Sequence, residues 1–167
     1  MPPVGGVEPS LVPREVVFVI DTSGSMGGQS LEQAKAALKL AIQRLSAQDR
    51  FNIIRFNSDT FALFKEPQLA NAKAKAVAVT ATESLFAHGG TEMAPAIRLA
   101  LSGQASGGYL RQVVFITDGA VDNERELFEL VRERLDESRL FTVGIGSAPN
   151  SYFMVRAAEF GRGTYTF

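Results

Sequence analysis

The sequence predicts an α/β domain of three layers: a doubly wound, mostly parallel sheet with one antiparallel edge strand, and helices on both faces. Three observations carry that prediction. Short β-branched and aromatic runs alternate along the chain with stretches of helical periodicity. Two of those runs, "EVVFVI" (15–20) and "QVVFIT" (112–117), are apolar on both faces, as strands of a parallel sheet covered on each side must be. The 167 residues, 46% of them hydrophobic, suit one domain with a sizeable core.

Taken in order, "MPPVGGVEPSLVP" (1–13) is rich in proline and glycine and reads as a linker or appended head before a domain spanning 14–167. It lacks the basic start and apolar core of a signal peptide, and no apolar run approaches the roughly 20 residues needed to span a bilayer. After the first strand, Ser30 and Gln33 predict a capping box for a helix with Leu31, Ala34, Leu38, Ile42 and Leu45 on its inner side. "FNIIRF" (51–56) is the second strand. "TFALF" (60–64) follows it after only Asn57-Ser58-Asp59, a connection that permits an antiparallel hairpin and no crossover. "NAKAKAVAVTATESLF" alternates like a strand, but its alanines favour a helix.

Residues 91–102 form a further predicted helix, with Pro95 tolerable in the first turn. Beyond "QVVFIT", Asn123 and Glu126 begin a helix that turns Leu127, Leu130, Val131 and Leu135 inward. "LFTVGIG" (140–146) is a strand, 151–160 a helix stopped by Gly161, and "GTYTF" (163–167) the last strand. Phe51, Phe56, Phe115 and Phe141 are assigned to the core, Lys73 and Lys75 to a solvated face, and Asp122 and Glu124 to the dipole of their helix.

Composition excludes several roles. A net charge of −1 with interspersed acids and bases leaves no footprint for nucleic acid or an anionic membrane. Without cysteine there are no disulfides, thiolate metal sites or cysteine nucleophiles, although compartment stays open.

Chemistry concentrates where strands end. In open α/β sheets the ligand crevice lies beyond the carboxyl ends of the strands, where strand order reverses. Asp21 ends the first buried strand and Asp118, in "FITDGA", ends another. If those strands are neighbours, two carboxylates converge, and a divalent cation removes their repulsion. Residues two apart on an extended strand lie roughly 6.5 Å apart, so the chain must curl after Asp21 for Ser23 and Ser25 to share an ion. Gly24, Gly27 and Gly28 permit that. "HGGTEM" (88–93) adds Thr91 after a glycine pair. Hard oxygen donors in small number suit Mg²⁺ or Mn²⁺ better than Zn²⁺.

"DTSGS", "GGT" and "TDG", in that order and on those elements, together resemble the metal-ion-dependent adhesion site of von Willebrand factor type A domains. The resemblance covers almost the whole chain and implies a Rossmann-like fold. It carries the family's metal ligands onto Asp21, Ser23, Ser25, Thr91 and Asp118. It implies that the serines ligate directly, that the threonine and aspartates do so directly or through water, and that one position remains for an acidic residue of a protein partner. The implied ion is Mg²⁺, with Mn²⁺ or Ca²⁺ as alternatives. Glu92 stands where related domains often carry a neutral polar residue.

"VVFVIDTSGSM", "RFN" and "GRGTYTF" look most like the subgroup of inter-alpha-trypsin inhibitor heavy chains and bacterial surface proteins. That likeness implies an N-terminal partner domain and an extracellular, cell-surface or bacterial-envelope location. The family usually closes with a further helix. A chain ending at Phe167 is therefore expected to lack it, to leave an apolar strip beside 163–167 and to self-associate.

Set beside this reading, "DTSGS" alone is an ordinary helix-capping pattern, and His88 reads as a loop residue making local hydrogen bonds rather than as a ligand. Three functions compete: a metal-dependent binding module, a structural module whose metal only pins loops, and a hydrolase. The last lacks a G-x-S-x-G elbow and a Walker lysine, and the bases available near the metal are His88 and Glu92. The expectation is a non-enzymatic adhesion module.

Overall fold

The computed structural model describes residues 12–102, 108–118, 124–134, 138–145 and 165–166. Its strands are β1 (Arg14–Asp21), β2 (Arg50–Phe56), β3 (Thr60–Ala62), β4 (Gln68–Leu69), β5 (Leu110–Thr117), β6 (Arg139–Gly144) and β7 (Tyr165–Thr166). Its helices are α1 (Gln29–Gln43), α2 (Ala72–Glu83), α3 (Met93–Ala100) and α4 (Glu124–Arg134), with a single 3₁₀ turn at Gly24–Met26.

One sheet takes the order β3-β2-β1-β5-β6-β7, with β4 also paired to β2. β1 pairs in parallel with β2 on one side and β5 on the other. β5, β6 and β7 continue the parallel run, and among the described residues β3 and β4 alone run antiparallel, both against β2. The chain winds outward from β1 to β2, then returns to the other side of β1 to lay down β5. Strand order thus reverses between β1 and β5, where a crevice is expected.

The two-faced apolar runs explain the layers. Val17, Val19, Ile54, Phe56, Val113 and Phe115 pack against α3 and α4. Val16, Phe18, Ile20, Phe51, Ile53 and Ile116 pack against α1 and α2. Fully buried Leu38 and Ile42 anchor α1, and burying a side chain of that size contributes about 1.5–3 kcal/mol.

Several expectations are corrected. Ser30 does not cap α1: the helix begins at Gln29, and Gly28 occupies the cap with φ 77° and no side-chain bond. Glycine tolerates that left-handed conformation, so the chain re-enters a helix directly from the 3₁₀ turn. Lys75 is no solvated lysine: its ammonium donates to the carbonyls of Leu45 (2.7 Å) and Gln43 (3.2 Å), closing the C-terminal end of α1. Phe141 is half-buried rather than core. The short strand β4 had no sequence signal.

The helix over 72–83 despite strand-like alternation is borne out, with Asn71 Oδ1 accepting from Ala74 N at 2.8 Å as its cap. Pro95 sits in the first turn of α3, where it removes no helical bond. Asn123, Asp122, Leu135 and the expected helix at 151–160 lie outside the described residues, as does all of the closing stretch except Tyr165–Thr166.

Candidate metal centre

β1 delivers Asp21 to the reversal point. The residue has no exposed surface, yet it carries a carboxylate because the chain turns at once to satisfy it. Ser23 N donates to Oδ1 at 2.8 Å, and Thr117 Oγ, at the end of neighbouring β5, donates to Oδ2 at 2.7 Å. Each oxygen keeps a second lone pair. Burial pushes the Asp21 carboxyl above its ordinary range; the bonds from Ser23 and Thr117 oppose that shift, and the charge of Asp118 adds to it. Asp118 follows directly on Thr117, the residue that bonds Asp21, so the two carboxylates stand at the ends of neighbouring strands.

Ser23 is buried and Ser25 exposed, with their hydroxyl oxygens 3.1 Å apart. The 3₁₀ turn folds them together, Met26 N donating back to Ser23 O at 2.9 Å. Neighbouring ligands of an octahedral Mg²⁺ with bonds of 2.0–2.1 Å stand about 2.9 Å apart, and those in the pentagonal plane of a seven-coordinate Ca²⁺ at 2.3–2.6 Å about 2.7–3.1 Å. At 3.1 Å the serine hydroxyls share a hydrogen bond, and that spacing is compatible with either ion.

The loop bearing Thr91 is tied to the first by backbone. Gly24 N donates to Gly89 O at 2.9 Å, and His88 N to Thr22 O at 3.0 Å. A Cβ on Gly24 would meet Gly89 O at 3.3 Å, and one on Gly89 would stand 2.9 Å from Ser58 Oγ. Gly89 also has φ +78°, so close approach and backbone conformation both demand glycine there. Ser58 Oγ accepts from Gly90 N at 2.8 Å, and Glu92 N donates to Asn57 O at 2.9 Å. Thr91 itself is half-buried, and its hydroxyl makes no hydrogen bond among the described residues.

The structure thus brings Asp21, Ser23 and Ser25 into one cluster with Asp118 beside it, and tethers the loop of Thr91 to that cluster by its glycines. Among the described residues no three His, Cys, Asp or Glu side chains converge, so the donors are two carboxylates and hydroxyls. That set fits a hard divalent cation.

Sequence reasoning missed the supporting residues. Thr117 was visible only as the threonine before Asp118. Asn57 donates from Nδ2 to Thr22 Oγ at 3.2 Å and lies 3.2 Å from His88 Nε2. His88 stacks on Phe86 with ring centroids 4.8 Å apart. It is a loop residue, as expected, but its bonding partners Asn57 and Thr22 lie on other loops, distant in sequence.

The domain is a doubly wound α/β fold that gathers carboxylate and hydroxyl oxygens where its strand order reverses. The model of the von Willebrand factor type A domain matches residues 14–167, and the chain belongs to that family. A von Willebrand factor A domain-containing protein of Dictyostelium discoideum is 35% identical over 154 residues, covering 91% of this chain and 17% of that protein. The human von Willebrand factor A domain-containing protein 5B1 is 33% identical over 148 residues, 87% of this chain and 12% of that protein. The chain spans less than a fifth of the length of these relatives.

Two solved structures share the fold. The von Willebrand factor type A protein of Catenulispora acidiphila superposes with a TM-score of 0.83 at 22% identity, covering 93% of this chain and 38% of that one. Manganese-loaded TRAP protein of Plasmodium vivax gives 0.76 at 20% identity, covering 89% and 63%.

Proposed function

We propose that this domain is a metal-dependent protein-binding module, presenting a divalent cation held by Asp21, Ser23, Ser25, Thr91 and Asp118 to an acidic residue of a partner. The observation that carries it is the placement of Asp21 and Asp118 at the ends of neighbouring strands where strand order reverses, with the hydroxyls of Ser23 and Ser25 folded together beside Asp21. A bound cation supplies an electrophile that a carboxylate can ligate. Exposed Ser25 marks the open side, while Thr117 and Ser23 N hold the Asp21 oxygens in place.

Mg²⁺ is the proposed ion, on the small set of hard donors; the manganese carried by the TRAP protein supports a divalent ion of similar size. Binding is proposed over turnover because the histidine of these loops is engaged with Asn57 and Phe86. The kinship with inter-alpha-trypsin inhibitor heavy chains, the N-terminal partner domain and the extracellular or envelope setting belong to the same proposal.

Capture of partners on immobilised domain tests it. Partners retained in Mg²⁺ should elute with EDTA and be absent from an Asp118→Ala column. Retention that survives EDTA would favour a metal that only pins loops. Mg²⁺-dependent turnover of a p-nitrophenyl phosphate or ester would favour a hydrolase.

A further inference from the structure

A second polar site lies at the opposite end of the sheet. From Glu15 to Asp21 β1 runs six residues, about 20 Å, and at its far end the face that packs α3 and α4 stops being apolar. Register places Arg50, Glu15 and Arg111 side by side across β2, β1 and β5. Arg111 Nη1 donates to Glu15 Oε2 at 3.0 Å, and Arg50 Nε lies 4.0 Å from Glu15 Oε1. The side chains of Glu15 and Arg111 are only 4% and 7% exposed.

α3 ends at Ala100 and leaves this row beneath a cavity of about 310 Å³. Its floor is Val17, Ile54 and Ala62, and Leu99, Pro67 and Lys65 stand around it. That volume is at the lower end for ligand pockets, which run to about 300–1,000 Å³.

The charges in this wall do not balance. Among the described residues of the wall, Arg50, Lys65 and Arg111 stand against Glu15 and Glu66, three cations to two acids. Arg111 Nε is buried without a hydrogen-bond partner among the described residues. Being shielded from solvent, it contributes field rather than contact. Lys65 is exposed at the rim and makes no hydrogen bond or ion pair among the described residues, so its ammonium is available to an incoming anion.

We infer that this cavity binds a small organic monocarboxylate, its apolar body on Val17, Ile54 and Ala62 and its carboxylate toward Lys65. A phosphate dianion would exceed the single positive charge of the wall and leave the apolar floor uncovered. The site is separate from the metal centre and does not rest on the function proposed there.

Benzoate and its neutral isostere benzamide test it by ¹⁵N–¹H spectra of the whole chain in EDTA, so that no cation at the other end takes up a carboxylate. Benzoate should shift amides at 15–17, 50–54, 99–102 and 111 saturably, while benzamide at equal concentration should not. Lys65→Glu, an exposed change that spares the core, should weaken benzoate by about tenfold or more. Equal shifts from benzamide, no saturable shifts from benzoate, or undiminished affinity in Lys65→Glu would each overturn the assignment.

Discussion

At the scale of single residues, buried carboxylates do two opposite things in this domain. Asp49 is a joint: Arg14 N and Ser46 N donate to its two oxygens at 2.9 Å each, and Arg14 Nη2 adds an ion pair at 3.3 Å. Burial pushes its carboxyl up, but those bonds and the Arg14 charge outweigh burial and hold it below the usual 3.8. The stability it contributes is complete above that ordinary value and is lost as pH falls through the lower folded one. Asp49→Ala should therefore cost about 1–3 kcal/mol at neutral pH, with the gap to the parent narrowing below pH 4 in urea melts. Asp21 is the reverse case, its proton favoured by burial and by Asp118. Asp21→Asn keeps the shape and removes the repulsion. Without divalent ions it should melt no lower than the parent, and Mg²⁺ should leave it unmoved. Calorimetric scans with and without EDTA check both halves.

At the scale of elements, the loops around the crevice are set by backbone contacts more than by side chains. Gly89 takes φ +78° against Ser58, so Gly89→Ala should destabilise by about 1–3 kcal/mol through strain. It should also weaken Mg²⁺ although it removes no ligand, because the loop of Thr91 loses its tether to Gly24. Ion titration against the parent reads this. Helix α1 depends on its buried face: Leu38→Ala should cost about 2–5 kcal/mol in chemical denaturation while leaving Mg²⁺ affinity unchanged.

These elements also show what the sequence made legible. The strands over "EVVFVI" and "QVVFIT" were plain because both faces were apolar, and α2 because alanine outweighs a misleading alternation. The start of α1 was misplaced because Ser30 offers a good cap locally, whereas the tertiary route from the 3₁₀ turn puts Gly28 there. β4 is two residues long and exposed, with no pattern to betray it.

At the scale of the whole molecule, the site depends on topology. Asp21 and Asp118 stand 97 positions apart in sequence, and only the return of β5 to the free side of β1 makes them neighbours. Their placement was legible because an acid stands at or directly after the end of each buried strand. The supporting residues were not: Thr117, which bonds Asp21, and Asn57, which bonds Thr22 and His88, are common strand-end types whose partners lie far away in sequence. The row Arg50–Glu15–Arg111 was hidden for the same reason: three charges scattered through apolar runs meet only through strand register.

The central claim is that Asp21, Ser23, Ser25, Thr91 and Asp118 hold one divalent cation. Calorimetric titration of Mg²⁺ into the parent and into Asp118→Ala tests it most directly, because Asp118 follows β5 half-exposed and its truncation opens no core cavity. The parent should bind one ion and gain melting temperature by mass action, Ser23→Ala should bind more weakly, and Asp118→Ala should remain folded and bind none. Equal Mg²⁺ affinity in the parent and Asp118→Ala would contradict the claim and reduce these loops to helix caps.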